Sequence, residues 1–267
     1  MTMLDFLVDI RSDDRDTAHL RFAFELAKRF GAHLTGMQVI ALDASVIVLP
    51  EPLLVLEDEE AYAHERHGWW ASACRSRGID GTWEVRRGVY RRVLIRRASL
   101  CDLLIGRLPV VGSGISAGTG LLARVLMSRV SPIVLVPDDA APSAMRRILI
   151  AWNGSAVSAR AVRAALPFLA RARSITILAG EREGGARRDD ADALLRAWLL
   201  RHALVCDWIE MDPKASPATA IAECAEASRA DAIVMGAWGR SRLREMALGG
   251  TTRHMLAHGR VPIFLSA

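Results

Sequence analysis

The chain repeats itself at about half its length, and this repeat restricts the available folds more than any other feature of the sequence. Residues 98–102, Ala-Ser-Leu-Cys-Asp, correspond to residues 227–231, Ala-Ser-Arg-Ala-Asp, and each motif precedes a short apolar run. Residues 130–135, Val-Ser-Pro-Ile-Val-Leu, are echoed by residues 260–265, Arg-Val-Pro-Ile-Phe-Leu. Self-similarity at this spacing predicts two copies of one domain.

Each half alternates short apolar runs with segments of helical periodicity. The run Leu4–Ile10 is followed by helical spacing over Thr17–Phe30 and by a second run over His33–Ile40. This order predicts a strand-helix-strand unit with a right-handed crossover and parallel strands. The same alternation resumes after a proline-containing linker at residues 137–143. We therefore predict an α/β protein with two tandem open, mostly parallel sheets flanked by helices, in domains 1–138 and 145–267.

The composition is that of a globular protein with a large core, and the cysteines indicate a reducing compartment. The chain has 267 residues, of which 51% are hydrophobic and 24% charged. Its four cysteines form no Cys-x-x-Cys pair, so we expect buried free thiols and a cytoplasmic location. The first residues show no signal-peptide pattern, and the apolar region Val39–Leu56 is interrupted by charges and prolines. We expect no contact with a membrane.

The formal net charge of +5 comes mostly from scattered arginine, densest at residues 86–97. Few aromatic residues are interleaved there. Such a cluster is more often the solvated face of a helix than a nucleic-acid surface, although it would attract an anionic partner. We expect no nucleic-acid partner.

A glycine-bearing loop follows the apolar run at residues 231–235. Gly236, Gly239 and Gly249 are separated by two and by nine residues, and Gly250, Thr251 and Thr252 come next. Glycine lets the backbone approach a ligand closely, and the free N–H groups at a helix N-terminus favour an anion. Threonine hydroxyls can cap the helix or contact a phosphate. The alternative is an ordinary loop that joins a strand to a helix.

This spacing resembles the nucleotide-binding signature of the universal stress protein family, including the Gly239-Arg-Ser sequence after the second glycine. In that family a serine or threonine usually follows the third glycine directly, whereas Gly250 stands there in this chain and Thr251 comes one residue later. The two similar halves resemble the tandem-domain type, and the resemblance covers nearly the whole chain. It implies a Rossmann-like fold, a bound adenine nucleotide such as ATP with magnesium, and halves that pack as a pseudo-dimer or pair further as a homodimer.

The first strand of the second half ends at Asn153-Gly154-Ser155, where the family usually has Asp-Gly-Ser around the adenine and ribose. Asn153 keeps an acceptor and gains two donors, so it can still bond a base edge or a sugar hydroxyl. Equally, Asn153 and Ser155 can turn the chain and cap the next helix, and the two roles are compatible. The positive charge of Arg240 would attract a triphosphate, and the alternative is an arginine in a solvated turn. The predicted nucleotide-binding residues are Asn153, Gly154, Ser155, Gly236, Gly239, Arg240, Gly249, Gly250 and Thr251.

The first half departs from this pattern. Arg11 takes the position of Asn153, Arg107 that of Gly236, and Val110 that of Gly239. Side chains at these positions would obstruct close approach of a ligand to the backbone. We therefore assign the nucleotide site to the second half.

No motif for catalysis is evident in the sequence. There is no P-loop and no Gly-x-Ser-x-Gly elbow. His64 and His67 share a helix face without further metal ligands, and Asp231 begins its strand at the end away from the loop. The sequence thus predicts a cytoplasmic universal stress protein that binds ATP in its second half and is not an enzyme. The alternative is a nucleotide-free tandem domain that acts as a protein-interaction module.

Overall fold

The chain folds around one ten-stranded sheet, in a computed structural model that describes residues 3–42, 51–108, 131–180, 188–237 and 250–266. The predicted α/β class is confirmed. The strands are β1 (Asp5–Ile10), β2 (His33–Ala41), β3 (Gly81–Gly88), β4 (Leu103–Arg107), β5 (Ile133–Val136), β6 (Arg147–Trp152), β7 (Ser174–Ala179), β8 (Asp207–Glu210), β9 (Ala232–Gly236) and β10 (Ile263–Ser266). The helices are α1 (Ala18–Phe30), α2 (Pro52–Glu65), α3 (His67–Arg75), α4 (Tyr90–Ala98), α5 (Ala156–Ala164), α6 (Leu166–Leu169), α7 (Arg188–Arg201), α8 (Pro217–Ala227) and α9 (Gly250–His258). None of these helices is both long enough and apolar enough to cross a membrane.

The two halves of the chain build equivalent five-stranded sheets that join edge to edge. The strand order is β3-β2-β1-β4-β5-β10-β9-β6-β7-β8. Strands within each half are parallel, whereas β5 and β10 pair antiparallel, with Val134 opposite Phe264. The tandem sheets of the sequence prediction are therefore continuous in one sheet.

The period-two pattern of the strands separates two apolar layers. Phe6 and Val8 face the layer formed with α1, α5 and α6, while Leu7 faces the layer formed with α4, α8 and α9. Successive side chains of a strand point to opposite faces, so apolar residues on both faces give strands buried between two helical layers.

The helix boundaries differ in places from those that periodicity predicts, most clearly in two helices of the second half. The helix expected over residues 158–170 is divided into α5 and α6, and Pro167, which has no N–H to donate, lies in the first turn of α6. The last helix, expected to start at Arg253, begins three residues earlier at Gly250. The predicted helix at residues 121–129 lies outside the described residues.

Aromatic rings cross the junction between the halves. Phe168 packs against Phe30 with ring centroids 5.1 Å apart, against Phe6 at 6.1 Å and against Phe264 at 5.7 Å. Beside them Arg29 donates to the carbonyl of Arg171, and Arg171 donates to the carbonyl of Arg29 at 3.2 Å. Such a reciprocal exchange is what a two-fold-related contact produces.

Candidate functional site

The carboxyl ends of β6 and β9 frame a cavity of about 360 Å³. The two strands are parallel neighbours, with Ala151 opposite Met235. From β6 the chain continues to β7 on one side, while β9 lies on the other side. This reversal of strand order is the switch point at which open α/β sheets hold ligands, and the volume suits a small organic molecule.

The turn after β6 forms one wall of the cavity and starts α5. Gly154 adopts a φ of +66°, which favours glycine. The Asn153 side-chain oxygen accepts hydrogen bonds from the Ser155 N–H at 3.2 Å and from the Ser155 hydroxyl at 2.8 Å. Ser155 in turn caps α5 by accepting from the Ser158 N–H at 3.2 Å. Asn153 and Ser155 thus turn the chain and cap the helix, and both also line the cavity.

Gly236, the last residue of β9, lines the same cavity, but its lack of a side chain serves helix packing. A Cβ atom there would lie 2.8 Å from the Ser158 nitrogen and 2.8 Å from the Val157 carbonyl carbon. Both contacts are to backbone at the start of α5, which cannot move aside cheaply. The sequence interpretation assigned this glycine to close approach of a ligand, whereas the structure shows close approach of a helix.

The start of α9 also lines the cavity. Gly250 and Thr251 are its first two residues and line the cavity together with the buried Thr252. The first N–H groups of a helix have no partner within the helix and favour an anion. Gly239, Arg240 and Gly249 lie in residues 238–249, outside the described part of the chain. Of the nine predicted site residues, Asn153, Ser155, Gly236, Gly250 and Thr251 are brought together around one cavity.

The sequence interpretation missed the apolar part of the cavity. Six such lining residues come from separate segments: Val157, Leu178, Met211, Pro217, Ile221 and Met235. None of the lining residues in the described chain has an ionisable side chain. Position in the chain could have predicted two of them. Leu178 and Met211 lie at the carboxyl ends of β7, which is next to β6, and of β8, which is next to β7. The cavity therefore suits a ligand with a flat or apolar part and a polar or anionic end at α9.

The equivalent strand ends of the first half carry charged side chains. Phe6 pairs with Leu103 as Ile148 pairs with Ala232, so Arg11 stands at the position of Asn153 and Arg107 at that of Gly236. The Arg107 guanidinium contacts the Asp138 carboxylate through two hydrogen bonds, of 2.5 and 2.9 Å, and lies 3.7 Å from Asp14. These contacts place an internal ion pair where the second half has a glycine.

The hydrogen bonds, ion pairs and burial at these strand ends shift the pKa values of the ionisable groups there. The hydrogen bond to Asp138 raises the pKa of Arg107. Burial acts to raise the pKa of Asp14, but hydrogen bonds from His19 and from the Arg11 N–H outweigh it, so the pKa is lowered. Asp9 behaves differently: burial raises its pKa despite the hydrogen bond donated by Tyr90. The first half thus pairs Arg107 with carboxylates of its own at the ends of its strands, whereas burial disfavours the charged form of Asp9.

No metal-binding cluster is present among the described residues. No group of three His, Cys, Asp or Glu side chains there is placed to hold an ion. The Asp231 carboxylate accepts from the N–H groups of Arg147 and Arg146, at 2.8 and 3.1 Å, at the amino ends of β6 and β9. It lies at the edge of the sheet away from the cavity.

Comparison with known proteins shows which fold the chain has and which family one segment of its sequence resembles. Residues 214–266 match the sequence model of the universal stress protein family. None of the curated protein sequences is similar enough to the chain to count as a match. A universal stress protein from Archaeoglobus fulgidus DSM 4304 is similar in structure, with a TM-score of 0.78 and 18% identity over 98% of this chain and 96% of that one.

Two further structures, both from Pseudomonas aeruginosa, are similar over nearly the full length. A functionally unknown protein from strain PAO1 has a TM-score of 0.65 and 14% identity over 99% of this chain and 92% of that chain. A candidate universal stress protein from strain UCBPP-PA14 has a TM-score of 0.65 and 15% identity over 99% and 93%. Residues 214–266 are therefore similar in sequence to the universal stress protein family, and the chain as a whole has the fold of the solved universal stress proteins, arranged as two similar halves in tandem.

Proposed function

We propose that the second half of the chain binds an adenine nucleotide, ATP in particular, and that the protein acts in a stress response in the cytoplasm without being an enzyme. The observation that carries this proposal is the cavity at the ends of β6 and β9. It joins Asn153 and Ser155 to Gly236, Gly250 and Thr251, which are about a hundred residues away in the chain.

Different parts of the cavity lining suit different parts of a nucleotide. Apolar side chains such as Met211, Ile221 and Met235 offer surfaces for a purine ring. The amino end of α9 favours the phosphates, and Thr251 can add a hydroxyl contact. Because the described lining contains no carboxylate, a magnesium ion that accompanies ATP would take its ligands from phosphate and water.

A charge introduced at Thr251 tests this assignment without damaging the fold. Thr251 is half-buried in the first turn of α9, where a negative charge stabilises a helix by about 0.3–1 kcal/mol. In T251E the added carboxylate would repel the phosphates, so we expect ATP to bind at least about tenfold more weakly, a loss of about 1.4 kcal/mol.

T251Q is the matched control, because it has nearly the same shape and no charge. Titration calorimetry should show clearly weaker binding by T251E than by T251Q, because both variants lack the threonine hydroxyl and only T251E carries the charge. Absence of saturable binding by the wild type at millimolar ATP would reject the proposal. Equal affinities of T251E and T251Q would place the phosphates elsewhere.

The second candidate function is a nucleotide-free interaction module. It is favoured by the Asn153 side-chain oxygen, which accepts two hydrogen bonds from Ser155 within its own turn. Mass spectrometry of small molecules released from freshly purified, denatured protein distinguishes the two functions. A stoichiometric adenine nucleotide would exclude the second candidate.

A further inference from the structure

The net charge of the protein is concentrated in one strand-helix unit. Residues 81–98, which contain β3 and α4, have six arginines and one glutamate, a net charge of +5. This equals the formal net charge of the entire chain, so basic and acidic residues balance in all the rest. The excess positive charge of the protein therefore lies in this one unit.

The equivalent unit of the second half carries the opposite charge. Residues 207–227, which contain β8 and α8, have five acidic residues and one lysine, a net charge of −4. The β3 and β8 strands are the two terminal strands of the sheet, and α4 and α8 pack on the same face of it. Because one fold accepts opposite charges at its two equivalent positions, packing does not require either set.

Both sets of charges are presented to solvent. We define the basic surface as Arg86, Arg91, Arg92 and Arg96. We define the acidic surface as Asp207, Asp212, Glu223 and Glu226. All eight side chains are exposed apart from Arg91, which is half-buried.

Part of the basic surface is neutralised within the chain, and part is not. Arg86 pairs with Glu84 at 3.0 Å. Among the described residues, no carboxylate lies within ion-pair distance of Arg92 or Arg96. These two arginines are four residues apart and share one side of α4, as Glu223 and Glu226, three apart, share one side of α8.

We propose that the basic surface of one copy of this protein binds the acidic surface of a second copy. The two surfaces lie on one face of the sheet and at its opposite ends, so a two-fold axis that brings two such faces together can form both contacts at once. The product is a closed dimer, the commonest symmetric assembly. Complementary charge across the contact sets its orientation and makes association depend on salt.

Sedimentation velocity at low and high ionic strength tests the proposal. The wild type should dimerise at about 0.02 M salt and dissociate at about 0.5 M. R92E/R96E and E223R/E226R should each weaken association at least about tenfold, because each places like charges opposite one another. The control E57R/E59R changes the charge by the same amount as E223R/E226R, at exposed positions of α2, which packs on the opposite face through Leu56 and Ile40. It should associate like the wild type.

A variant in which the charges of both surfaces are reversed gives the decisive comparison with the two double variants. The variant that combines all four reversals restores opposite charges and should recover dimers, and an equimolar mixture of the two double variants should form mixed dimers. Monomers at every salt concentration, or a fourfold variant that associates no better than the double variants, would overturn the proposal. Circular dichroism confirms that each variant is folded. These measurements need no nucleotide, so their outcome is independent of the proposed function.

Discussion

Gly236 shows how one missing side chain positions the candidate site. Its backbone lies against the first turn of α5, and this contact fixes the separation between the end of β9 and the turn at Asn153. Gly106, one residue before the end of β4, has no such neighbour: a Cβ atom there would meet only the Leu135 side chain, at 3.6 Å. Helix packing therefore requires a glycine at position 236 but not at position 106, although each lies near the end of the fourth strand of its half.

Alanine substitutions at these two glycines should separate their roles. G236A forces a methyl group against backbone atoms of α5, so we expect a loss of about 1–3 kcal/mol in the free energy of unfolding. G106A places the methyl group at an ordinary contact distance and should change stability by less than about 0.5 kcal/mol. Urea unfolding of both variants measures the difference. Equal stabilities would show that α5 does not pack on Gly236 as described, and larger side chains at 236 are unsuitable probes of ligand binding.

At the scale of elements, two helix starts line the cavity. The first turn of α5 is capped by Ser155, and the first turn of α9 contributes Gly250 and Thr251. A cap that satisfies orphan N–H groups holds the helix start in one position. Ser155 therefore holds in place the part of the cavity that α5 contributes.

Removal of the Ser155 hydroxyl should loosen this part of the cavity. S155A loses the cap bond to the Ser158 N–H and the bond to Asn153, and we expect it to cost about 1 kcal/mol. Ser216 is the matched control, because it occupies the N-cap position of α8 without a side-chain cap bond. Thermal unfolding should show a smaller loss for S216A. A loss as large as that of S155A would contradict the role given to Ser155.

The sequence predicted those elements whose signal is local. The apolar runs Leu4–Ile10 and His33–Ile40 predicted β1 and β2 to within one residue at each end, since a buried strand between turns has a clear pattern. The start of α9 was misplaced by three residues, because glycine and threonine have weak helix propensity and tertiary position decides the boundary. The apolar lining was not predicted, because Met211 and Ile221 come together with Gly236 and Gly250 only after the sheet has formed.

At the scale of the whole molecule, the antiparallel β5-β10 pair and the ring cluster at Phe168 make the two halves one structure. Phe168 is buried and contacts rings of both halves, Phe6 and Phe30 on one side and Phe264 on the other. A shared core of this kind couples the stabilities of the parts that it joins. We expect the chain to unfold in one cooperative transition.

Truncation of Phe168 should weaken both halves at once. F168A is expected to cost about 3–5 kcal/mol and to accelerate amide hydrogen exchange in β1 as well as in β6. F24A is the control, because Phe24 is buried against Trp70 within the first half. Its local effect should remain in that half. Faster exchange confined to the second half in F168A would show that the junction does not couple the two halves.

The central claim is that the second half holds a nucleotide where the first half holds its own ion pairs. Hydrogen exchange measured by mass spectrometry, with and without saturating ATP, tests it most directly. The account predicts slower exchange at residues 153–158 and 250–255, which surround the cavity, and no change at residues 11–22. Protection confined to the first half, or no protection at saturating ATP, would contradict it.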